Sequence, residues 1–106
     1  MNNLEPCIIE TTTATQEDAE RIAAALLEQK LAACVQLENV RSHYVWQGKV
    51  EDDEEIRLSI KSAAHLYAQV EAAILALHPY DCPQVLMLPI TAMLPEYKQW
   101  LADALT

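Results

Sequence analysis

Residues 31–61, LAACVQLENVRSHYVWQGKVEDDEEIRLSIK, constrain this chain more than any other stretch, because they read as two long strands joined at Gly48. Ala33 to Trp46 is fourteen residues, which at about 3.3 Å each would span roughly 46 Å when extended. A compact domain of this length has a radius of gyration of about 13 Å, hence a diameter of about 35 Å. The strand therefore overshoots the globule that bears it. Its far end carries Tyr44, Val45 and Trp46, bulky side chains that water alone would surround. Burial of such a tip calls for another molecule, and another copy of the same chain is the simplest cover.

Alternation within this stretch sets its faces. Ile56, Leu58 and Ile60 alternate with Glu55, Arg57, Ser59 and Lys61, the pattern of a strand with one face on helices and one polar. In the first strand Val35 and Leu37 share one parity while Val40, Tyr44 and Trp46 take the other. A change of inward face near Glu38–Asn39 is expected, through a bulge or bend. The run Glu51-Asp52-Asp53-Glu54-Glu55 lacks the spaced ligands and glycine of a calcium loop. It reads as a solvated cluster that discourages edge pairing.

The flanking segments supply the rest of a domain. Cys7 to Thr13 is rich in β-branched residues and predicts a strand. Thr15 then predicts a helix start, its hydroxyl on the amide of Asp18 and Asp18 reaching back in a capping box. Ala19, Ile22, Ala23, Leu26 and Leu27 give that helix an apolar stripe. A second helix is expected from Ala64 to Leu77, stopped by Pro79. Val85 to Ile90 predicts a buried strand with Pro89 at an edge or at its end. Pro95 opens a last helix whose apolar side holds Tyr97, Leu101, Ala104 and Leu105. Strand, helix, strand, strand, helix, strand is the split βαβ order, so the expected fold class is α+β, a ferredoxin-like βαββαβ sandwich with a C-terminal helix, forming one domain over residues 1–106.

Composition narrows the function. Sixteen acidic against seven basic residues give a formal charge of −9, with no basic run to meet a phosphate backbone. Nucleic acid and anionic membrane are therefore not expected partners. The start of the chain lacks a basic segment followed by a long apolar one, and no apolar run approaches a bilayer span, so a cytoplasmic protein is expected. Cys7, Cys34 and Cys82 are odd in number and widely spaced, which predicts buried thiols rather than disulfides or a zinc clasp.

Catalytic signatures are missing. One glycine in the chain makes a nucleotide cradle of the usual kind untenable, and neither Gly-x-Ser-x-Gly nor His-Glu-x-x-His occurs, so an enzyme is not expected. The best reactive cluster is His78, Tyr80, Asp81 and Cys82. A His and a Cys together suit copper or zinc. The plainer alternative is an imidazole capping a helix end beside a core thiol. Glu55 and Lys61 share a polar face but lie about 20 Å apart, so they do not pair, and Lys61 is free to meet a carboxylate from elsewhere. Tyr44 and Trp46 suit either stacking on a ligand or burial in a subunit contact. His43 and His65 read as surface residues.

Lys30-Leu31-Ala32-Ala33-Cys34, Ser42 through Val50, Glu55 through Lys61, His78-Pro79-Tyr80-Asp81-Cys82-Pro83, and Tyr97 with Trp100-Leu101 closely resemble the CutA divalent-cation-tolerance family, in order and over essentially the whole chain. The resemblance implies a ferredoxin-like protomer akin to the PII signalling proteins, and a tight homotrimer in which long hairpins extend sheets between subunits. It also implies tolerance of copper and other divalent ions, with copper held in some members by a Cys and two adjacent His. Those three positions fall on Thr11, Leu77 and His78 here, so one ligand of three is kept; any copper would need other donors, such as Cys82 or groups of another subunit. Two expectations follow. One is a trimeric cytoplasmic tolerance protein that binds copper or another divalent cation weakly through His78 and nearby donors. The other is a PII-like regulatory or scaffolding trimer whose clefts, lined by Tyr44, Trp46, Glu55, Lys61 and Tyr80, receive a small molecule or partner protein.

Overall fold

The computed structural model describes residues 3–106. Its elements run β1 (Pro6–Thr13), α1 (Gln16–Glu28), β2 (Cys34–Trp46), β3 (Lys49–Ala63), a 3₁₀ turn (Ala64–Leu66), α2 (Tyr67–Leu77), β4 (Leu86–Pro89) and α3 (Pro95–Ala104). The four strands form one antiparallel sheet in the order β2-β3-β1-β4, which is the ferredoxin-like arrangement. The 3₁₀ turn takes the first residues expected in the second helix.

Local chemistry explains the helix ends. Thr15 Oγ1 accepts from the Asp18 amide at 3.1 Å, as a capping threonine should. The Asp18 carboxylate does not complete the expected capping box. It turns to the Arg21 guanidinium one turn on, because a charged donor holds a carboxylate more strongly than a backbone amide does. At the other end Leu31 N–H reaches Leu26 O at 2.9 Å and Lys30 N–H reaches Leu27 O at 3.1 Å, a Schellman motif. It sets Lys30 at φ 58°, a place usually taken by glycine. Pro95 occupies the first turn of α3, as expected.

One face of the sheet carries the core. Cys7, Ile9, Leu58 and Ile60 from the strands meet Ile22 and Leu26 of α1 and Val70 and Ile74 of α2, all fully buried. Burial of each such side chain is worth about 1.5–3 kcal/mol. Ser62 is also buried, and its hydroxyl donates to Leu31 O at 2.7 Å. Leu27, expected on the buried stripe, is 44% exposed, since α1 turns it to the flank of the helix layer.

The hairpin is continuous. Every residue from Cys34 to Trp46 pairs in regular register with β3, ending at Trp46↔Lys49 across a two-residue turn. Gln47 and Gly48 both take positive φ, 51° and 78°, as a tight hairpin of matching twist requires. No bulge interrupts Glu38–Asn39, which corrects the expectation from parity. The strand keeps its faces, and what changes is the cover: Val35 and Leu37 pack on the core, while beyond them the arm has left the helices behind. The molecule measures 49 × 25 × 22 Å, and Val45 and Val50 at the tip are 72% and 79% exposed.

A second correction concerns β4. The apolar run read as a buried strand, yet Leu86, Met87 and Leu88 are all exposed. They form the outer strand of the sheet, hydrogen-bonded to β1 on one side only. Pro89 ends the strand, where its missing N–H does no harm.

Candidate functional site: the groove at the root of the arm

Directly opposed residues of an antiparallel pair share a face, so the register assigns Val40, Ser42, Tyr44 and Trp46 to the same side as Glu55, Asp53, Glu51 and Lys49. This is the face turned away from the core. The alternate face of the arm holds Arg41 and His43 with Asp52 and Glu54. β3 thereby sorts its five acids. Arg41 Nε lies 2.8 Å from Asp52 and its Nη1 lies 3.3 Å from Glu54, while His43 stands 3.7 Å from Asp52. The hydrogen bond from Arg41 holds the Asp52 carboxyl below its usual range. Glu51, Asp53 and Glu55 make no ion pair among the described residues.

Phenols meet those acids instead. Tyr44 donates its hydroxyl to Asp53, and this bond is the main reason its pKa is pushed up to about 12. Tyr80 donates to Glu55 Oε2 at 2.8 Å. Burial first, and then this bond, also raise the Tyr80 phenol. Glu55 is only 8% exposed, so the expectation that residues 51–55 form a solvated run fails at its last member. The root of the arm also bounds an open groove of about 470 Å³, walled by Asn39, Arg41, Glu54 and Ile56 of the alternate face together with Ala14, Val40 and Glu55; of the phenol-bound acids only Glu55 reaches it.

The loop that delivers Tyr80 is pinned by His78. Nε2 lies 2.7 Å from the carbonyl oxygen of Thr12, which accepts, so Nε2 carries the proton. Nδ1 accepts from the Tyr80 amide at 3.2 Å. The imidazole also leans on the Tyr80 ring, with centroids 4.7 Å apart. These contacts carry the loop past the end of β1 and set the phenol against β3.

The structure thus brings Tyr44, Glu55 and Tyr80 to one face, with Trp46 further along it and 42% exposed. Lys61 stands apart: its Nζ donates to Gln36 Oε1 at 2.6 Å, an amide rather than the carboxylate expected for it. His43 and His65 are exposed as expected. Cys7 is buried, and burial pushes its thiol up to about 11; Cys34 is half-buried and Cys82 is exposed, so the expectation of buried thiols holds for Cys7 alone. Cys82 lies outside because its loop crosses the surface between two prolines. Among the described residues no three His, Cys, Asp or Glu side chains converge as a metal group. The pairing of Tyr44 with Asp53 was not visible in spacing, since the two lie on different strands. Only the register beyond Gly48 joins them.

Together the sheet order, the overlong hairpin and the phenol–carboxylate pairs at its root define a ferredoxin-like α+β domain of the kind that bears an extended β arm. The family profile for the CutA1 divalent ion tolerance protein matches residues 7–104, and the chain belongs to that family. It is 38% identical to the divalent-cation tolerance protein CutA of Thermus thermophilus, over 91% of this chain and 94% of that one. A crystal structure of divalent ion tolerance protein CutA1 from Ehrlichia chaffeensis superposes with a TM-score of 0.91 at 33% identity, covering 99% of each chain. The structure described as the periplasmic divalent cation tolerance protein CutA from Archaeoglobus fulgidus gives 0.93 at 35% identity, covering 95% of this chain and 99% of that one.

Proposed function

We propose that the protein serves in divalent-cation tolerance as a cytoplasmic homotrimer that meets copper and other divalent ions weakly and is not an enzyme. One observation carries the assembly: Tyr44, Val45, Trp46 and Val50 on the arm, with Leu86, Met87 and Leu88 on β4, are large apolar side chains left open to water. Sister copies of the chain cover them. The three free thiols favour a reducing compartment, and no helix among the described residues is long and apolar enough to cross a membrane. Weak cation binding follows from the arm, where Glu51, Asp53 and Glu55 have no cationic partner among the described residues and stand in a row along one strand rather than around a centre. Such an arrangement suits an affinity of roughly 10⁻⁴–10⁻³ M. Sedimentation velocity tests the assembly, with a single species of three subunits at micromolar concentration as the expected result. Calorimetric titration with divalent ions tests the rest, with Asp53→Asn expected to weaken the binding. A folded lone subunit, or binding unchanged by that substitution, would remove the corresponding half.

A second reading has its own observation. The phenols of Tyr44 and Tyr80 are fixed on carboxylates on one face of the arm, and a groove of about 470 Å³ that Glu55 helps to wall opens at its root, with room for a small molecule. A PII-like regulatory trimer would bind its ligand there, between subunits. A metabolite panel read by thermal shift, with denaturant added to bring a stable trimer into range, distinguishes this reading from cation handling.

A further inference from the structure

The family resemblance implies a soft-metal triad at the positions of Thr11, Leu77 and His78, and the donor chemistry here does not fit one. Copper selects thiolate, thioether or an imidazole lone pair. Thr11 offers a neutral hydroxyl, which is fully buried and has no hydrogen-bond partner among the described residues. Leu77 offers nothing. His78 has spent both ring nitrogens: Nε2–H is given to the Thr12 carbonyl, and the Nδ1 lone pair is taken by the Tyr80 amide. A neutral imidazole has one N–H and one lone pair, so none remains.

We infer that His78 is a strap and not a metal ligand. Its two bonds run in opposite senses, one to the end of β1 and one to the loop two residues on, and they fix the backbone from which Tyr80 reaches Glu55 at 2.8 Å. Loss of the imidazole frees the loop and with it the cover over a carboxylate that is 8% exposed. This rests on the tolerance reading and deepens it: His78 is excluded as a donor, and cation contacts are left to the carboxylates of the arm.

The experiment compares wild type, His78→Ala and His78→Gln as full-length chains. Copper(I) is titrated under reducing conditions against a competing chromophoric chelator, and exchange of the Tyr80 amide is followed by hydrogen–deuterium NMR. Superimposable copper curves are expected for wild type and both variants, with amide exchange roughly tenfold faster in His78→Ala. His78→Gln keeps a donor near Thr12 O and should exchange at an intermediate rate; it also serves if the alanine variant fails to fold. Saturable copper, one per subunit, lost in either variant would overturn the inference, and so would unaltered exchange at Tyr80. Failure of the trimer in sedimentation, or of cation binding on the arm, leaves both readouts in place, so the two readings fail separately.

Discussion

The hydroxyl of Tyr80 donates to Glu55 Oε2 over 2.8 Å and so joins the loop after α2 to the root of the arm, across 25 positions of sequence. Glu55 is nearly buried and directly opposes Val40 on β2, so the phenol replaces much of the water the carboxylate gives up. Removing the hydroxyl leaves a buried anion short of a donor. Tyr80→Phe is expected to cost about 1–3 kcal/mol, read from urea unfolding at fixed subunit concentration. A loss below a few tenths would mean that the bond merely decorates the surface.

Alkali should act on the same face. Tyr44 has its pKa pushed up from 10.0 to about 12 by the bond to Asp53, and Tyr80 is raised as well. Folded phenols that hold their protons more tightly than unfolded ones contribute a stability that is whole below pH 10. It is lost as pH climbs from 10 through the raised value. Tyrosinate absorbance during a pH titration is expected to show late-titrating phenols, with one of them missing in Tyr44→Phe.

Thr11 provides a test in the other direction. Its hydroxyl is buried and has no partner among the described residues, and it faces the fully buried Leu58 across the β1–β3 pair. Valine has nearly the same shape, suits a strand and needs no partner. Thr11→Val is expected to raise stability by about 1 kcal/mol in chemical denaturation. A destabilised variant would show that a bound water or another group satisfies the hydroxyl in solution.

Trp46 pairs with Lys49 beside the hairpin turn and contributes nothing to the helix layer. Under the proposed assembly Trp46→Ala weakens association by roughly 2 kcal/mol per contact while helix content stays level. Sedimentation across a dilution series, with circular dichroism on the same samples, checks both halves. Intact trimers at every dilution would place the indole outside the contact.

The overshoot of residues 33–46, the alternation of Ile56, Leu58 and Ile60, the cap at Thr15 and the stop at Pro79 are local, and periodicity and turn chemistry state them outright. They suffice for the element order and hence the fold. Features that depend on neighbours in space are not legible this way. The parity change in β2 predicts a bulge or bend, but the strand simply outruns its helices. The apolar run from Val85 to Ile90 reads as a buried strand, but sheet order sets it at the edge, where Leu86, Met87 and Leu88 stay exposed.

Sequence by itself fixed the elements and the excess of arm over globule, because hydrophobic period, capping and chain length are properties of neighbouring residues. Tertiary structure alone decided that Tyr80 meets Glu55, that Tyr44 meets Asp53 and that His78 gives both nitrogens to the backbone. Those pairings depend on strand register and on the course of a loop through space, and no spacing along the chain encodes either one.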